Sequence, residues 1–216
     1  NYNYGILGGG LYMDSSTWTV IDSQILGNGG SYGGSGKGGG VYTTVGNSRF
    51  RNCLIAGNNC WYGDGIYVNS GNVTLEYCTV AQNCGNGLYR NGGGLVVSNS
   101  IVWGNGDDIY GTVTLGYTCT ENGDNNGTNG CLMGGIAFER GFYLTTTSEG
   151  INDASDTAAA AGLDTYTTRS DGTVDGGQAN LGYHYLSGVP ATADDLYVSP
   201  AGTNTNDGTS WAQAVR

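Results

Sequence analysis

The sequence predicts an all-β protein built as a β-solenoid, in which short parallel coils stack along one axis. Two observations predict it. A Gly-apolar-Tyr step recurs along the first half of the chain, and each step is followed by a strand-like segment that ends on asparagine. No helical pattern separates these segments, and 42 of the 216 residues are glycine. Units of this kind bury their apolar side chains only when they stack on one another.

The Gly-apolar-Tyr steps form the first strand of each coil. They end at Tyr12, Tyr42, Tyr67 and Tyr89, with a weaker copy at Tyr110. The apolar residues just before the first four tyrosines are Leu11, Val41, Ile66 and Leu88. We expect them to stack about 4.8 Å apart inside the coils. The tyrosines are expected to pack as a ladder, with sugar binding as the alternative interpretation.

The second strand of each coil closes on an asparagine, and these residues are Asn28, Asn58, Asn83 and Asn105. Asparagine tolerates the left-handed backbone conformation that turns require, and stacked side-chain amides can form a ladder. The matching inward positions of the strands are predicted to be Ile25, Leu54 and Val80. A β-sandwich would explain the alternation of apolar residues but not the repeated motif.

Composition excludes several classes of partner. The formal net charge of −11 would repel nucleic acid and anionic membrane surfaces. No apolar run approaches the roughly 20 residues that span a bilayer, and Asn1 begins no signal segment, so we expect a mature or excised piece without membrane insertion. Six cysteines favour an oxidising extracellular compartment. Zinc is the rival interpretation, but there is no Cys-x-x-Cys pair and His184 is far from every cysteine.

The cysteine positions predict three pairs. Cys60 and Cys84 both follow a closing asparagine and are predicted to form a disulfide. Cys53 and Cys78 each lie five residues before such an asparagine, so they should stack as a disulfide or as a ladder of thiols. The third pair, Cys119 and Cys131, brackets a polar loop that a disulfide would tie off.

At these motifs the sequence resembles a known family. The units ending in "ILGN", "IAGN" and "IVWGN" resemble right-handed parallel β-helix proteins of the pectate-lyase-like superfamily, in particular large surface and secreted proteins of bacteria. The ending "LGYHY" (181–185) resembles the Gly-Tyr-His-Tyr strand of the module that closes such helices. The resemblance implies a structural role for His184. It also divides the chain into coils (1–116), a closing module (117–186), a linker (187–195) and a module-opening segment (196–216).

The residues offer little support for catalysis. Asp107 and Asp108 are the best acidic pair, but consecutive residues on a strand point to opposite faces. Arg49 and Arg51 share one face of their strand and could bind an acidic sugar, although an exposed pair is the commoner meaning. Oxygen-bearing residues alternate over 124–128, which is a weak calcium-loop signal. We therefore expect no catalytic residue, no cofactor and no metal beyond that weak calcium signal.

The expected function is structural. The segment 196–216 resembles the start of a β-helix module, whereas the chain enters its first coil without one. We expect Tyr197, Val198 and Trp211 of one copy to dock on the first coil of the next, giving a head-to-tail filament or surface fibre. The acceptor residues in this hypothesis are Tyr2, Tyr4, Leu11 and Tyr12. One alternative is that the segment links to a following module of the same polypeptide. Another is a surface domain that binds or degrades carbohydrate.

Overall fold

The computed structural model describes residues 4–30, 35–139 and 141–187. In chain order the elements are β1 (Tyr4–Gly5), β2 (Leu11–Met13), β3 (Trp18–Leu26), β4 (Gly29–Gly30), β5 (Val41–Thr43), β6 (Asn47–Ala56), β7 (Ile66–Val68), β8 (Asn72–Glu76), β9 (Thr79–Ala81), β10 (Asn86–Arg90), β11 (Gly94–Trp103), β12 (Asp107–Tyr110), β13 (Thr114–Thr120), β14 (Phe138–Glu139), β15 (Tyr143–Leu144), α1 (Ala158–Ala161), β16 (Tyr166–Thr167) and β17 (Tyr185–Leu186).

Two parallel sheets run along the stack. The first has the spatial order β2, β5, β7, β10, β12, and the second has the order β3, β6, β8, β11, β13, with β9 pairing to β6 and β11. Each turn of the chain contributes one strand to the first sheet and one strand, or the consecutive pair β8 and β9, to the second sheet. The described residues thus form five coils, spanning residues 11–28, 41–58, 66–83, 86–105 and 107–120. The architecture is the predicted all-β parallel β-helix.

The register confirms the first predicted column and corrects the second. Leu11, Val41, Ile66 and Leu88 stack in that order and belong to one apolar core. In the second sheet the inward column is Ile25, Ile55, Val80 and Val102. Leu54 was predicted for this column and is one residue out of register, because it pairs with Gln24 and Thr79. Its side chain therefore faces outward, where it packs beneath Tyr183.

Three residues in each of the first four coils adopt a positive φ, two of them along the second sheet, and none is the closing asparagine. Each strand level of the second sheet bends at such a residue, and these bend residues are Asp22, Asn52, Tyr77, Asn99 and Tyr117. The second position directly precedes the asparagine and is occupied by Gly27, Gly57, Gln82 or Gly104. The corner is thus made by the preceding residue. Asparagine is required there for its side-chain amide rather than for its backbone.

The residues that follow β13 cover one of the two sheet edges at the C-terminal end of the stack, while β12 has no strand partner beyond β10 among the described residues. The backbone of Leu132 donates to Thr118 O and accepts from Thr120 N, which adds a short extended stretch beside β13. Cys131 joins the apolar core of the coils. This arrangement satisfies backbone groups of the last coil that would otherwise form an open edge.

Residues 136–187, which we call the side segment, pack along the outer face of the second sheet. They cover a row of outward side chains, which we call the outer row: Gln24, Leu54, Thr79, Ile101 and Cys119. The last residues of the side segment run from coil 4 toward coil 1. Gly182 bonds to coil 4, Tyr183 bonds to Thr79 of coil 3, and His184 bonds to Asn52 of coil 2. The Tyr183 hydroxyl also accepts from Gln24 of coil 1.

Candidate functional site

The first coil, with Ile6 just before it, carries a group of exposed large apolar side chains. Ile6, Tyr12, Trp18, Ile21 and Leu26 are all exposed, with Ile21 at 48% and Trp18 at 43%. The side chains that stack on Tyr12, Trp18 and Leu26 in coil 2 are buried. Exposed apolar side chains that cluster in one place mark interaction surfaces.

The same coil carries the free edges of both sheets. Among the described residues, β2 and β3 have strand partners only on the side of coil 2. Their inward residues Leu11 and Val20 are partly buried, whereas their counterparts in coil 2 are fully buried. An edge strand with unpaired backbone groups accepts an added strand. We call these two edges, with the five exposed apolar residues named above, the acceptor face.

The predicted docking partners of this face lie outside the described residues. These residues are Tyr2 on the acceptor side and Tyr197, Val198 and Trp211 on the donor side. Tyr4 belongs to β1, which pairs with β4 through Gly29. Leu11 and Tyr12 lie on edge strand β2, as the docking hypothesis requires. The docking itself stays a prediction.

The closing asparagines form a hydrogen-bonded ladder. In each step the backbone N and the Nδ2 of one asparagine both donate to Oδ1 of the next. The distances are 2.9 and 3.1 Å from Asn28 to Asn58, 3.0 and 3.0 Å from Asn58 to Asn83, and 3.0 and 2.9 Å from Asn83 to Asn105. All but Asn105 are buried. Buried amides need such partners, so the ladder fixes the register of the coils.

The five tyrosines stack as predicted, and their geometry favours packing. Successive ring centroids are 5.6, 5.3, 4.8 and 4.4 Å apart, with interplanar angles of 17° or less. Tyr42 and Tyr67 are buried, and burial raises the pKa of both hydroxyls. Because each inner ring covers its neighbours, those ring faces cannot contact a sugar.

A smaller aromatic group lies beside this ladder. Tyr62 meets the ring of Tyr89 edge-on at 5.9 Å, and the adjacent Trp61 is 55% exposed. Tyr110, which ends the ladder, is also exposed. Lys37 lies 5.3 Å from the centroid of the Tyr67 ring. Exposed aromatic rings with a cation nearby are the features by which proteins commonly bind sugars.

The acidic pair is structural. Asp108 is buried and accepts hydrogen bonds from Asn105 Nδ2 and Glu121 N, while Asp107 accepts from Asn86. Burial raises the pKa of Asp108. The two side chains therefore have separate partners. That they form no catalytic dyad stays a prediction.

The two arginines on one strand face also have internal partners. Arg49 forms a two-pronged ion pair with Glu76 at 3.0 and 2.5 Å, and this hydrogen bonding raises the pKa of Arg49. Arg51 donates to Ala161 O and lies over the ring of Tyr77. Arg51 thereby links coil 2 to the side segment.

His184 is fully buried between the side segment and coil 2. Its Nε2 lies 2.8 Å from Asp175 Oδ2, and its Nδ1 lies 2.9 Å from Gly182 O. The two ring nitrogens therefore contact two different parts of the side segment. Its backbone N and O bond to the side chain of Asn52. The contacts agree with the structural role that the family resemblance implies.

All six cysteines are free thiols, so the predicted disulfides are corrected. Cys84 N bonds to Asn58 O, so Cys84 stacks on Asn59, whereas Cys60 lies one residue further along. The prediction missed this offset, because Cys60 is two residues after its asparagine and Cys84 only one. Successive residues point in opposite directions, so the two thiols are not brought together. Burial raises the pKa of Cys60 to about 12.

The other two pairs behave differently from each other. Cys53 and Cys78 lie in the same apolar core, and each thiol bonds to backbone carbonyls, Cys53 to Arg51 O and Cys78 to Glu76 O, so they are the stacked free thiols that the sequence allowed. Cys119 pairs with Leu132, so Cys131 is out of phase with it by one residue. Cys131 faces the core of the coils, and Cys119 faces the side segment. Burial raises the pKa of Cys119 to about 12.

The weak calcium signal at 124–128 gains no support from side-chain geometry. Asn126 Oδ1 accepts from Met133 N, and Asp124 N donates to Thr120 Oγ1, so the loop is held by its own contacts. In residues 4–30, 35–139 and 141–187 no group of three or more His, Cys, Asp or Glu side chains could hold a metal ion. Over the same ranges, no helix has the length and apolar character needed to cross a membrane.

Sequence reasoning missed the residues that bind the side segment. Asn52 bonds to the His184 backbone, Asn99 to Ser155, and Tyr77 to Asp156. These are bend residues, and each lies six residues before a closing asparagine. Asp22, Asn52 and Asn99 at this spacing were a readable signal, because short polar side chains favour positive φ.

The comparisons with known proteins agree with this architecture. No curated protein and no solved structure matched the chain. A family model described as a right-handed beta helix region matches residues 9–179, which is most of the chain and includes both the coils and much of the side segment. The chain therefore belongs to the right-handed β-helix family.

Proposed function

We propose that this protein is a structural, extracellular β-solenoid subunit that assembles with copies of itself at the acceptor face. The observation that carries the proposal is the asymmetry of the stack. In the last coil, residues around Leu132 cover the edge of β13 and β12 is an edge strand among the described residues, whereas the first coil presents two edge strands together with exposed apolar side chains. The extracellular setting rests on the sequence resemblance to secreted and surface proteins of bacteria.

The absence of catalysis is part of the proposal. The carboxylates and arginines that could act on a polysaccharide, Asp107, Asp108, Arg49 and Arg51, are committed to internal contacts. The aromatic ladder has its inner faces covered. We propose no cofactor and no metal for this function.

The donor in this proposal is the segment 196–216. The described chain ends at Ser187, whose backbone N bonds to Thr165 O beside the last strand of the side segment. Eight residues, 188–195, separate this point from the donor, and a chain of that length can extend about 28 Å. Leu196 to Val198 of one copy would add to an edge of the acceptor face of the next. Because donor and acceptor are different surfaces, the contact is head-to-tail and generates an open filament.

Deletion of residues 196–216 tests the proposal. Electron microscopy and sedimentation of the full chain should show filaments, and the truncated chain should stay monomeric until a peptide of the deleted sequence is added. Ile21→Lys should prevent assembly from the acceptor side. Val174→Lys is the matched control, because Val174 is equally exposed but lies on the side segment, far along the chain from the acceptor face. Filaments formed by the truncated chain, or a monomeric full chain whose tail occupies its own first coil, would contradict the proposal.

A second candidate function, carbohydrate binding, is favoured by the exposed group of Trp61, Tyr62 and Tyr110. Aromatic rings of this kind stack on sugar rings, and Lys37 nearby would favour an acidic sugar. Affinity electrophoresis in gels containing polygalacturonate would test it. Retardation that Trp61→Ala abolishes and Trp18→Ala preserves would support a site there, and equal mobility of all variants in gels with and without the polymer would exclude one.

A further inference from the structure

The tyrosine ladder is a continuous row of aromatic rings on the outer face of the first sheet. Successive ring centroids are 5.6 Å apart or less, and the rings follow the order Tyr12, Tyr42, Tyr67, Tyr89 and Tyr110. The planes are nearly parallel, so the π-system of each ring lies against that of the next. Tyrosine is one of the side chains that lose a single electron most readily. Rings in such contact can pass an electron from one to the next.

The ladder is exposed at its ends and buried in its middle. Among the described residues the end rings are Tyr12 and Tyr110, and both are exposed. Tyr42 and Tyr67 are buried between them. An oxidant in solution therefore contacts the end rings directly, whereas it reaches the middle rings only through their neighbours. The buried rings are placed as links in a path and not as points of entry.

A short side branch joins the ladder at Tyr89. The ring of Tyr62 meets that of Tyr89 edge-on, with 5.9 Å between the centroids. Trp61, the next residue along the chain, is exposed and carries an indole that is also readily oxidised. The branch gives the ladder a further exposed entry beside one of its inner rings.

Movement of a radical along the ladder also requires movement of a proton. A tyrosine that has lost an electron becomes strongly acidic and releases its phenolic proton, which leaves a neutral radical. Lys37 lies 5.3 Å from the centroid of the Tyr67 ring, and its charge disfavours a cation on that ring. No tyrosine hydroxyl in the described part of the chain is a buried atom without a hydrogen-bond partner. Each hydroxyl of the ladder therefore contacts solvent or a partner through which a proton can leave.

We propose that the tyrosine ladder is a relay that carries an oxidising equivalent between its exposed rings. A one-electron oxidant in solution, such as a metal complex, takes an electron from one exposed ring, and the phenolic proton passes to water. The neighbouring tyrosine then gives an electron to this radical and a proton to water, while the first ring regains a proton from water. Repetition moves the radical along the stack. A one-electron reductant such as ascorbate ends the sequence by returning one electron and one proton to the last ring.

A tethered oxidant tests the relay in the full 216-residue chain. Cys84 is exposed and lies just before coil 4, which contains Tyr89, whereas Tyr12 is in coil 1. A ruthenium(II) bipyridyl label on Cys84 is oxidised to ruthenium(III) by a light flash in the presence of a cobalt(III) ammine, and it then takes one electron from the nearest ring. A nitroso trap captures radicals on exposed rings, and peptide mass spectrometry locates the adducts. We expect adducts at both Tyr12 and Tyr110.

Tyr42→Phe interrupts the path without removing a ring. Phenylalanine preserves the stack but is far harder to oxidise, so the adduct at Tyr12 should be lost. The adduct at Tyr110 should remain, because Tyr110 is on the same side of the interruption as the label. Tyr117→Phe is the matched control, since it makes the same chemical change at an exposed tyrosine of the second sheet and should leave both adducts.

Equal adducts at Tyr12 in the wild type and in Tyr42→Phe would overturn the proposal, and so would a wild type without an adduct at Tyr12. The untethered ruthenium complex checks that the trap reaches this ring, because direct contact should mark Tyr12 in both chains. A missing direct mark would also contradict the proposal, since the relay requires an exposed ring at each end. The relay works within a single chain, so its failure is distinguishable from failure of the proposed assembly.

Discussion

The coils and the side segment are stabilised by different kinds of contact. In the coils each inward side chain rests on a similar one in the next coil, as with Val41 on Ile66. The side segment has no repeat, and its contacts with the outer row are all different: Tyr183 packs on Leu54, while its backbone N bonds to Thr79. The coils are held by the same stacking contact repeated in register, whereas each part of the side segment is held by contacts that occur once.

This difference predicts different responses to damage. A disrupted column in the coils affects coils on both sides, because each coil is buried only by its neighbours. Loss of a contact between the side segment and the outer row exposes one side of the solenoid, while the ladders of asparagine and tyrosine stay intact. The predictions below compare these two outcomes.

The largest effect is expected from Ile55→Asp. Ile55 is fully buried between Ile25 and Val80, and an unpaired charge there costs several kcal/mol, which is comparable to the net stability of a domain. We expect the variant to lose its cooperative thermal transition. Leu54→Asp, one residue earlier, should instead release the side segment and leave folded coils, because Leu54 faces outward beneath Tyr183.

Limited proteolysis with mass spectrometry separates these outcomes. Leu54→Asp should give cleavage within residues 136–187 and a resistant fragment that contains the coils. Ile21→Asp is the control, because Ile21 is exposed on the first coil and should tolerate the change. If Leu54→Asp and Ile55→Asp unfold the chain to the same extent, the two regions are one cooperative unit and the comparison fails.

A smaller effect is expected from His184→Ala. The change leaves the buried Asp175 carboxyl with only the Asn180 backbone N–H as a donor among the described residues, and the loss of one buried hydrogen bond costs about 1–3 kcal/mol. The loss should be confined to the side segment and measured by urea unfolding. Asp171→Ala is the control: it breaks the partly exposed ion pair with Arg169, which should be worth about 0–1 kcal/mol. Equal losses of unfolding free energy in the two variants would show that the His184–Asp175 hydrogen bond contributes no more than an exposed ion pair.

The coils were predictable because they repeat. The Gly-apolar-Tyr steps and closing asparagines fix one residue in each strand, and the first column and the tyrosine ladder follow from that alignment. The error at Leu54 was an offset of one residue. Ile25 and Val80 lie three residues before their closing asparagines and Leu54 lies four before Asn58, so counting from Asn58 selects Ile55, as the register shows.

The contacts of the side segment could not be predicted in this way. Nothing in the sequence near His184 indicates that its ring reaches Asp175 or that its backbone bonds to Asn52, 132 residues earlier. Such contacts depend on the path of a non-repeating chain. The error at Cys60 and Cys84 is of another kind, because their one-residue offset relative to the closing asparagines is readable in the sequence.

A smaller difference between the two regions is expected in how their stability depends on pH. Burial raises the pKa of Asp108 in coil 5, so its contribution to stability is present below the unfolded-state value of 3.8 and is lost as the pH rises through the folded-state value. The backbone N–H of Thr173 lowers the pKa of Asp171 in the side segment, and that contribution is lost as the pH falls. With rising pH, the advantage of the wild type over Asp108→Asn should shrink, and its advantage over Asp171→Asn should grow. Urea unfolding between pH 3 and 7 would measure both slopes, and slopes of the same sign would contradict the assignment.

The smallest expected effect is the alkylation of Cys84, which should leave both regions folded. Cys84 is exposed, whereas burial keeps Cys60 and Cys119 protonated at neutral pH, with a pKa of about 12 for each. The thiolate is the reactive form, so iodoacetamide at pH 8 should label Cys84 first and the buried thiols only after unfolding in urea. Mass spectrometry should find one label on the native chain and six on the unfolded chain. Cys84→Ser should remove the native label without changing the melting temperature. A native chain that takes no label until it is reduced would instead show that Cys84 is in a disulfide, and the one-residue offset at this corner would then be wrong.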